Sequence, residues 1–336
     1  MKYISRLLLA ALLLPVFTSC EVEFSPNADW KNVPVVYCVL DQDDDTSWVR
    51  VERCHLSNNG VYAYGQVRDS IFYGENEITV DILGYEGNTL RDSIPFAYME
   101  RQRDSGAFAG GLVPIYYAET QERLKSNYDY YLHVRAADGR ILASSNALRL
   151  IDYNPENKLF HQLKNNKFGF YDMSGTSSAN CLIKWDVLPR GRVYQPMIRF
   201  YYRVASETRY VDVRCPRVVP DYNASTGSLT YPRATFLNDL KAKLILDTSS
   251  RKEYLKMVDI YLTCCDEDLN TFMSTTSGAS VIDQGRVVYS NINGGVGIFA
   301  ARRTHLYRRF NADDSDVSNS GLGWFLKDLG VGIYIP

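Results

Sequence analysis

From Val33 onward, apolar and polar side chains alternate in stretch after stretch, and a period of two is the mark of strands with one buried face. In the run from Tyr128 to Arg135, Tyr128, Tyr130, Leu132 and Val134 share one face, while Asp129, Tyr131, His133 and Arg135 share the other. VPVVYCVL (33–40) and SWVRVERCHL (47–56) repeat the pattern on either side of the polar DQDDDT, which predicts a hairpin. IFY and EITVDILGYEG follow, and after residue 178 come ANCLIKWDVLP, YQPMIRFYYRVA and YLKMVDIYL. Only two segments break the pattern. ATFLNDLKAKLI places Phe236, Leu237, Leu240 and Leu244 on one helical stripe, and DEDLNTFMST opens with an acidic first turn, so helices are expected near 234–246 and 266–275.

Leu124 stands six residues before Tyr130, a relation that resembles the corner of a fibronectin type III or immunoglobulin-like sandwich. There the tyrosine ring is buried and its hydroxyl caps backbone, a role phenylalanine cannot fill. Trp185 on an alternating strand predicts an aromatic plug between sheets. The expected fold is therefore all-β: two immunoglobulin/fibronectin III-like β-sandwich domains in tandem, at 33–151 and 161–336, the second with the helical insertions. IDYNPENKLF, with its Asn-Pro and no periodicity, gives a linker at 152–160.

The N-terminus carries an address. Lys2 and Arg6 precede the apolar run Leu7 to Phe17, which spans roughly 16 Å as a helix, about half of a hydrocarbon core. Residues 1–19 thus read as a signal peptide rather than a membrane span. Phe17-Thr18-Ser19-Cys20 resembles a bacterial lipobox, with phenylalanine where leucine is usual, which implies lipidation of Cys20 and a tether over 20–32. Acyl chains contribute about 0.8 kcal/mol per buried methylene, enough when several are attached to hold a protein on a membrane. Glu21 and Glu23 resemble the surface-export signals of Bacteroidota lipoproteins.

A net charge of −2 lacks the basic footprint of a nucleic-acid binder. Six cysteines remain beyond Cys20; Cys38 and Cys54 lie on consecutive predicted strands, and a bridge or buried free thiols both fit. Adjacent Cys264 and Cys265 point to opposite faces of a strand and make a poor metal pair. The 25 tyrosines against 14 phenylalanines fit either strands with one wet face or surfaces that grip sugars, peptides or a partner.

Candidate chemistry is sparse. YSNINGGVGIFAA (289–301) has the densest glycine usage, but Val296, Ile298 and Phe299 predict a strand after the glycines, whereas a phosphate loop needs a helix. Asn293-Gly294 is a hairpin signal, so the segment reads as a corner. Asp41, Asp43, Asp45 and Glu52 occupy calcium-ligand positions of an EF-hand loop, but Thr46 stands where that loop needs glycine and the flanks are strands. The reading is a solvated turn, with calcium binding as the alternative. Ser174 to Ala179 resembles the nucleophile segment of subtilisin-like proteases, with Ser177 as the serine, yet none of His55, His133, His161 and His305 is followed by glycine. Asp104-Ser105-Gly106 lies outside the α/β setting that such an aspartate requires. No zinc spacing, catalytic residue or cofactor site is expected.

VVYCVL with DDTSWVRVERC, NEITVDILGYEG, NYDYYLHVRAADGRILASS, VDIYLTCCDEDLNTF and SNINGGVGIF, together with the lipobox, resemble a family of uncharacterised two-domain outer-membrane lipoproteins of the Bacteroidota, a domain of unknown function. Its members are often encoded beside TonB-dependent receptors. The resemblance implies a lipid-anchored, non-catalytic binding or accessory partner of a TonB-dependent nutrient uptake system at the outer membrane, with the cell surface and the periplasmic face both open. It implies no catalytic residue. Asp69-Ser70-Ile71 and Asp92-Ser93-Ile94 resemble the short O-glycosylation sequon of that phylum. The alternatives are a surface hydrolase acting on glycans or peptides, with acids from distant strands, and a structural surface-layer protein.

Overall fold

A computed structural model describes residues 32–54, 67–103, 111–153, 168–170, 178–276, 289–311, 322–326 and 329–334. The signal segment, Cys20, His55, Asp104 to Gly106, most of the expected linker, His161 and Ser174 to Ser177 lie outside them. The chain is all-β in its framework, with one large mixed sheet and one two-stranded sheet.

The first half contains β1 (Pro34–Asp41), β2 (Thr46–Arg53), the single-turn helix α1 (Arg68–Ile71), β3 (Ile78–Glu86), β4 (Thr89–Arg103), β5 (Gly111–Glu119), β6 (Asp129–Ala136), β7 (Ile141–Ser145) and β8 (Leu148–Arg149). As the DQDDDT turn predicts, β1 and β2 form an antiparallel hairpin. Alternation is realised literally: Val36, Cys38, Leu40, Val49 and Val51 are buried, as are Val80, Ile82, Tyr130, Leu132 and Val134. β4 turns the large sheet around this core. Its residues up to Phe96 pair with β3, whereas Ala97 to Arg103 pair with β5.

The second half contains β9 (Asn180–Asp186), β10 (Val193–Val204), β11 (Glu207–Arg214), β12 (Thr226–Pro232), α2 (Arg233–Leu244), β13 (Lys252–Cys265), α3 (Glu267–Thr276), β14 (Ile292–Asn293), β15 (Val296–Asn311), α4 (Leu322–Leu326) and β16 (Ile333–Tyr334). Both expected helices form. Phe236, Leu240 and Leu244 of α2 are fully buried at i, i+4 and i+8. Trp185 is fully buried, 5.6 Å from the Tyr194 ring, and a Cβ on Gly227 would come within 2.3 Å of its indole nitrogen. Glycine there is what lets the indole seat.

Strand β15 joins the two halves. Val296 to Arg302 run parallel to β1, and Arg302 to Asn311 run antiparallel to β13, so pairing crosses the expected division between 151 and 161. One contiguous apolar cluster accordingly extends from Val36 to Val331. The glycine-rich segment before β15 does turn a corner, but not the hairpin its Asn-Gly predicts. β14 pairs with β7 and β15 with β1, so Gly294 and Gly295 carry the chain from one part of the sheet to another. Proximity to backbone demands the glycines. A Cβ on Gly294 would lie 2.7 Å from the Leu142 carbonyl oxygen, one on Gly295 2.6 Å from that of Pro34, and one on Gly297, at φ 126°, 1.9 Å from that of Val36.

Side chains of the same segment lock it in place. Asn291 donates from Nδ2 to the Phe299 carbonyl at 2.7 Å and accepts from the Phe299 amide at 2.8 Å, imitating a strand partner. Ser290 Oγ accepts from Gly297 N at 3.1 Å. Tyr289 donates to Asp268 on α3.

The tyrosine corner is present, and there are two. Tyr130 is fully buried and its hydroxyl accepts from Lys125 N at 2.7 Å, with Leu124 buried beside it. Tyr194 repeats the device, accepting from Leu188 N at 2.7 Å, and Leu188 also stands six residues before its tyrosine. The six cysteines in the described residues are free thiols, and register places Cys38 opposite Val49 rather than Cys54.

Two stability outcomes follow. Gly297→Ala should lower the unfolding free energy by about 3 kcal/mol or more, from steric overlap added to the strained φ; Gly87→Ala, at φ 59° with open space around it, should lose only about 1 kcal/mol. Urea unfolding midpoints of the pair measure the difference. Tyr130→Phe and Tyr194→Phe should each lose about 1–3 kcal/mol by orphaning a backbone amide, and a loss well below this for either would remove the corner role from that residue.

Candidate functional site

The sheet formed by β10, β13 and β15 is buried on one face, and its other face forms the floor of a groove with α3 as one wall. Register builds that floor in rungs. Val193 lies opposite Cys265, which lies opposite Arg302; Gln195 lies opposite Thr263, which lies opposite Thr304. Thr263 Oγ1 and Thr304 Oγ1 are 3.2 Å apart and share a hydrogen bond. Met197 supplies the next rung and lies opposite Arg214 on β11. Leu269 and Met273, at i and i+4 of α3, form the wall. The cavity measures about 490 Å³.

Its rim is basic. Among the described residues, Arg214, Arg217 and Arg302 line it against one acidic side chain, Asp44. Arg302 is already committed, donating to Asp41 at 3.0 Å and to Asp44 at 3.1 Å. Cys265 adds no charge, because burial pushes its thiol up to about 12. Beyond Met197 the same face continues into a cation–aromatic cluster. The Arg199 guanidinium lies 3.9 Å from the Tyr210 ring centroid and 4.9 Å from that of Tyr261, while pairing with Asp212 at 2.7 Å.

α3 is fixed to this face by its N-cap. Asp266 accepts from Leu269 N at 2.8 Å and from Ala301 N of β15 at 2.6 Å, tying helix to strand. Burial pushes its carboxyl up to about 7 despite those two donors. Both oxygens face backbone amides and Asp266 is not part of the groove lining, so its shifted carboxyl is a structural one.

The sequence candidates fare differently. Asp41 is buried and burial raises its carboxyl, with Arg302 acting in the opposite direction. Asp43 takes two hydrogen bonds at 3.1 Å from Arg303, and Glu52 accepts from Arg50. Asp45 contributes its carbonyl, which accepts from Thr120 and Gln121 amides. The four calcium candidates are therefore not convergent ligands: arginine holds three of them. Among the described residues, no group of three or more His, Cys, Asp or Glu is arranged to hold a metal ion.

His133 lies 2.8 Å from Arg135 and 3.7 Å from Asp81; the His305 ring packs at a tilt against Tyr153, 4.7 Å between centroids. Burial lowers both imidazoles. Ser70 lies on α1 and is half-buried, and Ser93 is exposed on β4. Sequence reasoning missed the groove altogether. Only its wall was visible, as the DEDLNTFMST helix, because the floor is made by cross-strand register between distant segments.

The Asp41–Arg302 contact generates a pH-dependent outcome. Without the guanidinium, ionising buried Asp41 becomes costlier, whereas a protonated Asp41 loses little. Arg302→Gln should therefore cost about 2 kcal/mol near pH 7, a figure reduced because Arg302 is partly exposed. The deficit should shrink as pH falls toward 4, and Asp41→Asn in the same chain should recover part of it at pH 7. Thermal unfolding of the three variants between pH 4 and 8 measures this.

No family model matches the chain, and no curated protein matches it. Among solved structures, one described as "Cytokine receptor complex - Crystal form 1A" aligns at 9% identity over 83% of this chain and 98% of that one, with a TM-score of 0.23. At that TM-score the likeness bears on neither fold nor function.

Proposed function

We propose that this chain is a lipid-anchored, non-catalytic binding protein of a bacterial outer membrane, an accessory partner of a TonB-dependent uptake system. Cys20 is the acylated residue, and confinement to the membrane plane raises the effective concentration of the binding face around its partner. The observation that carries the binding role is the composition of the groove. Among the described residues its one lining carboxylate is Asp44, which pairs with Arg302, so none of them supplies the pair of carboxylates that acid–base hydrolysis of a glycan would require. A floor of mixed polarity, a basic rim and the neighbouring Tyr210–Arg199–Tyr261 cluster are instead the makings of a recognition surface. The membrane address rests on the N-terminal segment and the family resemblance of the sequence. No helix among the described residues is long and apolar enough to cross a membrane.

Two measurements test the reading. Labelled palmitate should be incorporated into the full chain and lost in Cys20→Ala. Affinity capture of the lipidated chain from detergent-solubilised native outer membranes should recover a TonB-dependent receptor in near-stoichiometric amount; recovery of the bait alone would sink the stable-partner role.

A further inference from the structure

The arginines of this protein are, as a rule, matched. Arg50 holds Glu52 on its own strand, and Arg123, Arg135, Arg199, Arg203 and Arg209 each hold a carboxylate on another strand or turn. Arg214 and Arg217 are the exceptions that share a location. Among the described residues neither side chain donates a hydrogen bond, pairs with a carboxylate or covers a ring, and both line the groove under α3. They enter it for a structural reason: β11 ends at Arg214, whose register partner is Met197 of the floor, and the chain then leads past buried Cys215 to Arg217 on the same rim.

Below these two cations the lining turns apolar. Met197 and Met273 face the cavity with Val193 and Leu269, and the Cys265 thiol stays neutral. Methionine side chains are flexible and polarisable, suited to an apolar body of variable shape. The volume of about 490 Å³ falls within the roughly 300–1,000 Å³ of small-molecule sites. Two guanidinium groups without partners among the described residues, beside the apolar side of a cavity, are complementary to an anionic head on an apolar tail.

We propose that this groove is a binding site for a small amphipathic carboxylate, whose head group is held by Arg214 and Arg217 and whose apolar body lies on Met197, Met273 and Leu269. Gln195, Thr263 and Thr304 form the polar side of the same cavity. The proposal rests on the binding-protein reading and names the ligand class of that site.

The test uses the full chain carrying Cys20→Ala, so that no acyl group competes. 8-Anilinonaphthalene-1-sulfonate is the fluorescent probe, displaced by dodecanoate or by dodecyltrimethylammonium, which has the same tail and the opposite charge. The expected result is saturable binding at one site, displaced by dodecanoate at a concentration at least tenfold lower than by the cation. Arg214→Gln with Arg217→Gln should weaken dodecanoate at least tenfold. Both residues are exposed, so the fold should be unchanged by circular dichroism. Met273→Asp, which puts charge on the wall and leaves the arginines, should weaken binding comparably.

Absence of saturable binding at 1 mM probe, equal displacement by both head groups, or an unaltered affinity in the double arginine variant would each overturn the proposal. Receptor capture by the same double variant in the lipidated chain separates the two readings. Capture that persists when dodecanoate binding is lost places the small-molecule site apart from the receptor contact, whereas a failure of capture in the unaltered chain counts against the accessory role alone.

Discussion

The backbone pairing of β1 with β15 is the contact on which the rest of this structure depends. Seven residues of each strand run in parallel register, from Val35 with Val296 to Asp41 with Arg302, and at Arg302 the same strand takes up β13. Parallel pairing of segments some 260 positions apart carries a large loop-closure cost, so it persists only where burial is extensive. Here Val36, Cys38 and Leu40 are buried on one side, and Phe299, Ala300 and Ala301 on the other. The three glycines around the start of β15 are a steric condition for that approach, since any side chain there would enter a carbonyl of Leu142, Pro34 or Val36.

Charge follows the same strand. The acidic β1–β2 turn meets Arg302 and Arg303 midway along β15, so an acidic loop that would otherwise repel itself becomes a clamp across the join. Asp266 ties α3 to β15 from the opposite side. The groove is a consequence of this arrangement. Its floor exists because β10, β13 and β15 lie in register, and its wall because Asp266 fixes where α3 begins. The rim stays basic because Asp44, the acidic residue lining the groove among the described residues, is paired with Arg302.

Legibility in the sequence divides along the range of the interaction. Strand alternation, the β1–β2 turn, both helices and the Leu124–Tyr130 corner depend on residues within about ten positions of each other, and each was readable. The second corner carries the identical signal in Leu188 and Tyr194 and could have been read the same way. The Asn293-Gly294 hairpin was misread because turn chemistry fixes the local bend but not the partner of either strand. The calcium positions were likewise ambiguous, since a row of aspartates has the same appearance whether it awaits a cation or faces arginines 260 residues away.

By itself, the sequence determined that this chain is built of half-buried strands with two helices inserted late, because side-chain period is a local property imposed by backbone geometry. It also determined the corner at Gly294 and Gly295, since only glycine tolerates such close backbone approach. Tertiary structure alone decided that β15 would serve both halves, that Arg302 and Arg303 would meet Asp41, Asp43 and Asp44, and that Arg214 and Arg217 would line one cavity with Met197 and Met273. The physical reason is that strand partners are chosen by non-local register and burial, which leave no periodic trace along the chain.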